Sequence, residues 1–545
     1  MTAHLLRRPG WFLLALILIT HFPALQAVDF HYDDGHSLVR NPHIRDLANL
    51  PRFFVDPALF SENPADAMYR PVVLVAHSIS HALSPTSPRA FLFLNLALHI
   101  IASLLTLQLL RGLLPIKRAL VGASLFALHP LQTEVINYAS ARSESLAAAG
   151  ILLALVSFLH YRKTEKGFWL AGLCAGQLLA LGSKEIAVIT PLLLLLVSFL
   201  PGRHKREFER RGLLISAGIT SLYLLVYQSF STPEPYAAEL RSMGAQAATQ
   251  IKAVVYYIRG VLIPVDLSVT PQFSESPSLA TPVVLVAAML LLSAALVLLS
   301  SRVQRIGGLG RGLAFGFICL SPTLLVPLNV LVNDHRPYLG LVGIGLVIAS
   351  LLPTSSGRLA TPLKALPLVL MLLCWQRTPD WRTEVSLWES AVREGPRMAD
   401  AQHNLAFAYH QSGALQQARE HYEHAIALKP DYVRPLTNLG ALYRGEGLLD
   451  RAEAVLKRAI RSDPEAVEAL NNLGLVYAAQ RQPELAIGAY QTALQADPRV
   501  ADIWFNLGLA QRDARQTEDA VQSLQRALQL DPTIRQRQNL GPSAR

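Results

Sequence analysis

The sequence predicts an all-α protein in two parts, a polytopic membrane domain followed by a superhelix of short helical repeats. Three observations carry this expectation. Of its 545 residues, 51% are hydrophobic and only 16% are charged, against roughly 25% charged in soluble chains. The apolar residues gather into long runs within 1–376, whereas 380–545 is polar. In that second stretch a pattern returns every 34 residues, with prolines at 430, 464, 498 and 532.

A helix needs about 20 apolar residues to cross a bilayer. Eleven segments qualify, near 11–29, 89–110, 118–136, 144–160, 167–182, 186–200, 212–230, 281–300, 311–328, 338–352 and 361–376. The basic connections are Arg7-Arg8, Arg111 to Arg118, Tyr161-Arg162-Lys163, Arg203 to Arg211, Arg302 to Arg311 and Arg358 to Lys364. All of them fall on one side if the N-terminus is cytoplasmic, as the positive-inside rule requires. The mean hydropathy of +0.31 and the net charge of +10 fit a multi-pass protein of the inner (plasma) membrane, in contact with lipid. The repeats then lie outside the cytoplasm. Residues 246–264 also read as a helix, but Lys252 and Arg259 would be costly deep in hydrocarbon. This helix is expected to lie flat at the outer interface, and 69–83 similarly. Arg7-Arg8, a short apolar run and Ala24-Leu25-Gln26-Ala27 resemble a cleavable leader. An uncleaved first span is preferred, because Leu25 occupies a position that cleavage wants small.

No sequence pattern points to nucleic acid. Cys174, Cys319 and Cys374 lie in apolar segments and read as small core residues, not as a disulfide framework or a zinc site.

The repeats are the most specific signal. Asn-Leu-Gly recurs at 438–440, 472–474 and 506–508, with Asn-Leu-Ala at 404–406. Ala418, Ala452, Ala486 and Ala520 keep step, as do Ala425, Ala459, Ala493 and Ala527. This is the tetratricopeptide pattern of two helices per repeat, small residues where they cross, and proline after the second. Four repeats are expected over 399–534, a junction with a partial repeat over 377–398, and a tail over 535–545. Stacked pairs form a groove that suits an extended peptide, a docking partner or a second protomer.

Polar residues cluster where the membrane domain meets the outside. The first outer loop holds Asp33-Asp34, adjacent carboxylates of which one can stay ionised and act as a general base. Asp34 is slightly favoured over Asp33. On the same side lie Arg70, Asn95 and His99 one helical turn apart, Glu134, Arg142, Lys184-Glu185, and Asp334-His335-Arg336-Pro337-Tyr338. Ionisable residues at membrane depth are functional by default, and Arg or Lys can hold a phosphate as its charge develops.

Taken in order, Tyr32-Asp33-Asp34, Tyr69-Arg70-Pro71, Leu94-Asn95 to His99, Phe126 to Pro130 with Glu134, Ala141 to Glu144, Ser183-Lys184-Glu185, Asp334 to Leu339 and Asp380-Trp381 to Trp388 form a set. The set resembles the transmembrane and TPR repeat-containing protein O-mannosyltransferases and their bacterial relatives. The resemblance implies a GT-C fold, a polyprenyl-phosphate sugar donor (typically dolichyl-phosphate mannose) and a Ser or Thr hydroxyl acceptor. It implies catalysis by Asp33 and Asp34, with inversion at the sugar. Arg70, His99, Arg142, Lys184 and Arg336 become donor-phosphate ligands, supported by Glu134, Glu185, Asp334, His335 and Tyr338. No cofactor is implied. A divalent metal on Asp33, Asp34 and Glu134 is possible chemically but not favoured, because several cations stand nearby. The short segment 231–250, the lack of loop cysteines and the four-repeat arm suit a bacterial relative, for which undecaprenyl phosphate is the implied carrier. Two rivals stand beside this reading: a GT-C transferase acting on a surface glycan or lipid, and a non-catalytic membrane-held repeat scaffold.

Overall fold

The structure, a computed structural model, describes residues 8–63, 67–199, 206–230, 241–299, 308–326, 330–352 and 360–534, side chains excepted at 296–299 and 360–364. The basic connections 203–211, 302–311 and 358–364 fall partly or wholly outside these residues, as do half of 231–250 and the tail 535–545. The described residues are helical without a strand. They form two compact units, 1–387 and 388–545.

The first unit contains α1 (Pro9–His21), α2 (Pro71–Leu83), α3 (Arg89–Arg111), α4 (Ile116–Leu128), α5 (Gln132–Asn137), α6 (Arg142–Thr164) and α7 (Gly167–Leu181). It continues through α8 (Thr190–Ser198), α9 (Arg206–Phe230), α10 (Met243–Leu262), α11 (Pro282–Leu299), α12 (Leu309–Leu325), α13 (Leu341–Leu351) and α14 (Ala360–Arg377). Among the described residues four helical segments are long and apolar enough to cross a membrane: Pro9–Gln26, Arg89–Arg111, Arg142–Thr164 and Arg206–Phe230. They make this a membrane protein. Among the described residues, shorter apolar helices stand at the expected positions 167–182, 186–200, 281–300, 311–328 and 338–352.

Two expected elements change shape. The segment 118–136 is not one helix: α4 stops at Leu128, and α5 begins at Gln132. Pro130 has no N–H and disfavours helical backbone at the residue before it, and His129 is extended at ψ 133°. The start of the expected span 338–352 also differs, since residues 334–340 form turns and α13 starts at Leu341. The interfacial helix expected at 246–264 is α10, whose Ser242 caps it by accepting from the Ala245 N–H at 3.2 Å.

The unit is held by helix crossings at paired glycines. Gly122 of α4 meets Gly345 of α13, Gly150 of α6 meets Gly176 of α7, and Gly312 of α12 meets Gly343 of α13, each backbone against backbone. In lipid there is no hydrophobic drive between helices, so association rests on such close approach. Phe126, Ile151, Leu155, Phe158 and Leu173 fill the core around these crossings.

α15 (Glu384–Glu394) spans the division between the units. The second unit stacks four helix pairs, α16 (Ala399–Gln411) with α17 (Leu415–Leu428), α18 (Val433–Gly445) with α19 (Leu449–Ser462), α20 (Val467–Ala479) with α21 (Pro483–Ala496), and α22 (Ala501–Asp513) with α23 (Thr517–Leu530). Ala418, Ala452, Ala486 and Ala520 are buried, as are Ala425, Ala459, Ala493 and Ala527. Gly440, Gly474 and Gly508 each receive a large side chain, Leu456, Tyr490 and Leu524, from the partner helix. The columns of small residues read from the sequence are therefore the crossing points.

A Cβ on Gly150 would stand 2.5 Å from the Gly176 carbonyl oxygen and 2.8 Å from the Ala180 nitrogen, both backbone atoms that cannot move aside. Gly150→Val is expected to cost about 1–3 kcal/mol or more and to lower the thermal midpoint of the detergent-solubilised protein. Gly218→Val, where nothing lies within 4 Å, is expected to leave it unchanged.

Candidate active site

The two adjacent carboxylates have opposite surroundings. Asp34 is buried and fully engaged: Oδ1 accepts from the Ser140 N–H at 2.8 Å and from the Ser140 hydroxyl, and Oδ2 accepts from the His31 N–H at 3.0 Å. Burial pushes its pKa up to about 6, against the pull of these donors. The Asp33 side chain is 51% exposed, and its Oδ1 lies 3.6 Å from His36 Nε2. Its backbone N–H donates to the Tyr138 hydroxyl at 3.1 Å. Burial and both carboxylates hold that phenol well above its ordinary pKa, so it stays neutral. The loop passes through Tyr32 at φ 48°, a left-handed conformation rare for an aromatic residue. Asp34 is thus an anchor, and Asp33 is the exposed carboxylate of the pair.

The segment 132–141 joins this loop to a belt of charges. Glu134 on α5 accepts from His335 Nδ1 at 2.8 Å, and His335 Nε2 lies 3.5 Å from Glu144 on α6. Glu144 also pairs with Lys184. Arg70, at the start of α2, grips Glu185 with two bonds of 3.0 and 2.9 Å. Burial works against the Arg70 charge, but Glu185 outweighs it and Glu144 adds to it, so its pKa is raised. Arg70, Lys184 and His335 therefore face Glu134, Glu144 and Glu185 in alternation, with Arg70 and Lys184 each 19–20% exposed.

Other residues expected in the site are spent on architecture. Arg142 is fully buried, and its nitrogens bond Asn95 Oδ1 (3.0 Å), the carbonyls of Ala76 (2.9 Å) and Phe91 (2.8 Å), and His77 (3.1 Å). His99 is fully buried between the Tyr338 hydroxyl (2.9 Å) and the Ala127 carbonyl (3.0 Å). That carbonyl also meets His21 Nε2 at 2.9 Å, near the break that Pro130 imposes. Arg336 turns onto the carbonyls of Leu331 (3.0 Å) and Val330 (2.7 Å) and the Tyr257 hydroxyl (3.3 Å). Arg142 and His99 are fully buried among these partners, whereas Arg336 is only partly buried. Asp334 is buried, takes the Tyr256 hydroxyl and the Ser268 N–H (2.8 Å), and binds α10 and the following loop to the 334–340 turn. Burial, then the Glu134 charge, raises its pKa to about 6.

Ser140, Tyr138 and Tyr256 were not singled out by the sequence in these roles. Ser140 directly precedes the Ala141-Arg142 turn, and Tyr256 lies on the helix that carries Lys252 and Arg259, so proximity to those features was the available signal. A cleft of about 270 Å³ opens beside the first loop, walled by Trp375, Trp381, Gln26, Asn137 and Arg382.

Comparison with known proteins bears on both units. Tetratricopeptide repeat family models match residues 397–465, 437–499 and 477–533. Over 440 residues, 77% of its length, the chain is 26% identical to a protein O-mannosyl-transferase of Caenorhabditis elegans and covers 63% of that protein. It is 29% identical over 186 residues to a protein O-mannosyl-transferase of Drosophila melanogaster, covering 33% of this chain and 21% of that one. The chain thus spans less than two thirds of either relative. The crystal structure of MamA is similar at 21% identity and a TM-score of 0.26, over 28% of this chain and 89% of that chain.

Arg142→Gln leaves several buried acceptors without donors, at about 1–3 kcal/mol each. It is expected to lower the yield and thermal midpoint of folded protein, measured by size exclusion after heating. Arg70→Gln, at a pair that keeps some exposure, is expected to lower both by less.

Proposed function

We propose that this chain is a membrane glycosyltransferase that moves mannose from a polyprenyl-phosphate carrier to Ser or Thr hydroxyls of proteins. The reaction is placed at the outer face of the inner (plasma) membrane, with the N-terminus cytoplasmic and the repeats outside presenting the acceptor or a partner. The observation that carries this reading is the division of labour in the first loop: one carboxylate locked and one free to accept a proton. The similarity to protein O-mannosyl-transferases supports the sugar and the acceptor class.

In the proposed step the acceptor hydroxyl oxygen attacks the anomeric carbon, and Asp33 takes its proton as general base. The bond from that carbon to the phosphate oxygen breaks, its electron pair leaves with the polyprenyl phosphate, and the anomeric centre inverts. Arg70 and Lys184 meet the phosphate and offset the charge that grows on it. His335, Glu134, Glu144 and Glu185 hold these cations in place. His99 and Tyr338 brace the turn that carries His335, and Asp334 secures that turn to α10. No metal enters the step.

The test is transfer of radiolabel from polyprenyl-phosphate mannose to protein by membranes carrying the chain. Label in protein is expected for the wild type, unaffected by EDTA, and is expected to fall at least about a hundredfold in Asp33→Asn, within the 10²–10⁴ range for a lost general base. Label confined to lipid or glycan would move the acceptor to a surface polymer. No label from the folded protein would leave a scaffold.

A further inference from the structure

The first loop is also gripped from the far end of the same unit, at residues 381–384. His31 is buried, and both its ring nitrogens face acceptors: Nε2 lies 2.9 Å from the Trp381 carbonyl and Nδ1 3.2 Å from Glu384 Oε2. A neutral imidazole has a single N–H and can donate to only one of them. The other Glu384 oxygen accepts the Tyr32 N–H at 3.0 Å, and Glu384 donates its own N–H to Asp29 at 3.2 Å. The Trp381 ring stands edge-on to His31 at 5.8 Å and stacks at 6.0 Å on Tyr138, the acceptor of the Asp33 N–H. The left-handed Tyr32 is therefore clasped on both sides: Glu384 holds its N–H, and Asp34 holds the N–H of the residue before it. A backbone conformation of this kind costs about 1–3 kcal/mol and persists only where its surroundings over-determine it.

We infer that His31, as an imidazolium, and Glu384 are positioning residues for Asp33, and that the hydrogen-bonded clasp they form, rather than its charge as such, holds the strained turn at Tyr32 which aims the Asp33 carboxylate. This rests on the transfer reaction proposed above. Neither residue touches the reacting atoms. Glu384 opens α15, the helix that continues into the repeat unit, so the aim of the base is set from the first turn of that helix. The titratable groups around the imidazolium are Glu384 and Asp34, with Asp29 bonded to the Glu384 backbone and Asp33 next along the loop. Burial alone would lower the His31 pKa, but the Glu384 bond and charge and the Asp34 charge outweigh it and raise it. The charged form therefore persists above the ordinary histidine value. As pH rises through the raised pKa, one of its two ring contacts is lost, which places an alkaline limb on the rate.

Glu384→Gln separates charge from geometry. Its amide oxygen can still accept the Tyr32 N–H, and its NH₂ can donate to Nδ1 of a neutral His31 that keeps its Nε2–H on Trp381. Glu384→Ala removes both contacts. The experiment compares the full chain with these variants in lipid nanodiscs. It reads hydrogen–deuterium exchange of the 29–40 segment together with kcat and donor KM for polyprenyl-phosphate mannose. In Glu384→Ala, exchange in the segment is expected to rise. Its kcat is expected to fall about tenfold or more, in line with a base misplaced by a fraction of an ångström, and its donor KM to stay within about twofold. Glu384→Gln is expected to restore exchange and most of kcat and to abolish the alkaline limb. Wild-type exchange and kcat in Glu384→Ala would overturn the proposal, and so would a folded Glu384→Gln that behaves like Glu384→Ala. Exchange is read without turnover. If it changes as expected while even the wild type transfers no sugar, the clasp stands and the proposed reaction falls.

Discussion

The buried carboxylate of Asp34 is the constraint on which the candidate site of this protein depends. A carboxylate taken out of water is tolerable only when its lone pairs are filled. Asp34 fills them with the N–H and O–H of Ser140 and the N–H of His31. Those bonds make the loop after α1 and the turn between α5 and α6 one body. Once that body is fixed, the neighbouring carboxylate has to point the other way, and Asp33 is left half in water. The Asp-Asp pair is therefore two different groups, one that builds the site and one that faces it.

The same logic runs through the membrane unit. Its helices approach at glycine pairs, so little room remains for a misplaced side chain, and the buried polar residues are tied to one another. Arg142 knits α2, α3 and α6 by filling carbonyls and amides that would otherwise be orphaned. His99 ties α3 to the break after α4 and to the turn that carries His335. Around the candidate site the charges alternate, so each cation is held by a glutamate yet stays near the surface. Arg70 and Lys184 keep part of their exposure, which is what a phosphate would require.

Much of the fold was legible in the sequence, because hydropathy and periodicity are local. The repeats could be read to the residue, since the alanine and glycine columns mark helix crossings every 34 residues. The break at His129-Pro130 is also written there, but the apolar run on either side masks it. Within the site, residue types were legible and their burial was not. Asp33 and Asp34 are chemically identical neighbours, and what distinguishes them is Ser140, 106 positions away. Arg142 and His99 carry the right chemistry to bind phosphate, yet their partners lie on three other segments and consume it. Glu384 stands 353 positions from His31, beyond the reach of any spacing argument.

In the proposed reaction Asp33 acts on the proton and contributes nothing to holding the donor. The most direct measurement is equilibrium binding of polyprenyl-phosphate mannose to the purified Asp33→Asn chain, set beside its single-turnover transfer rate. Wild-type affinity with transfer lost is the expected result. Weakened binding in a folded protein, or transfer that survives the substitution, would contradict it.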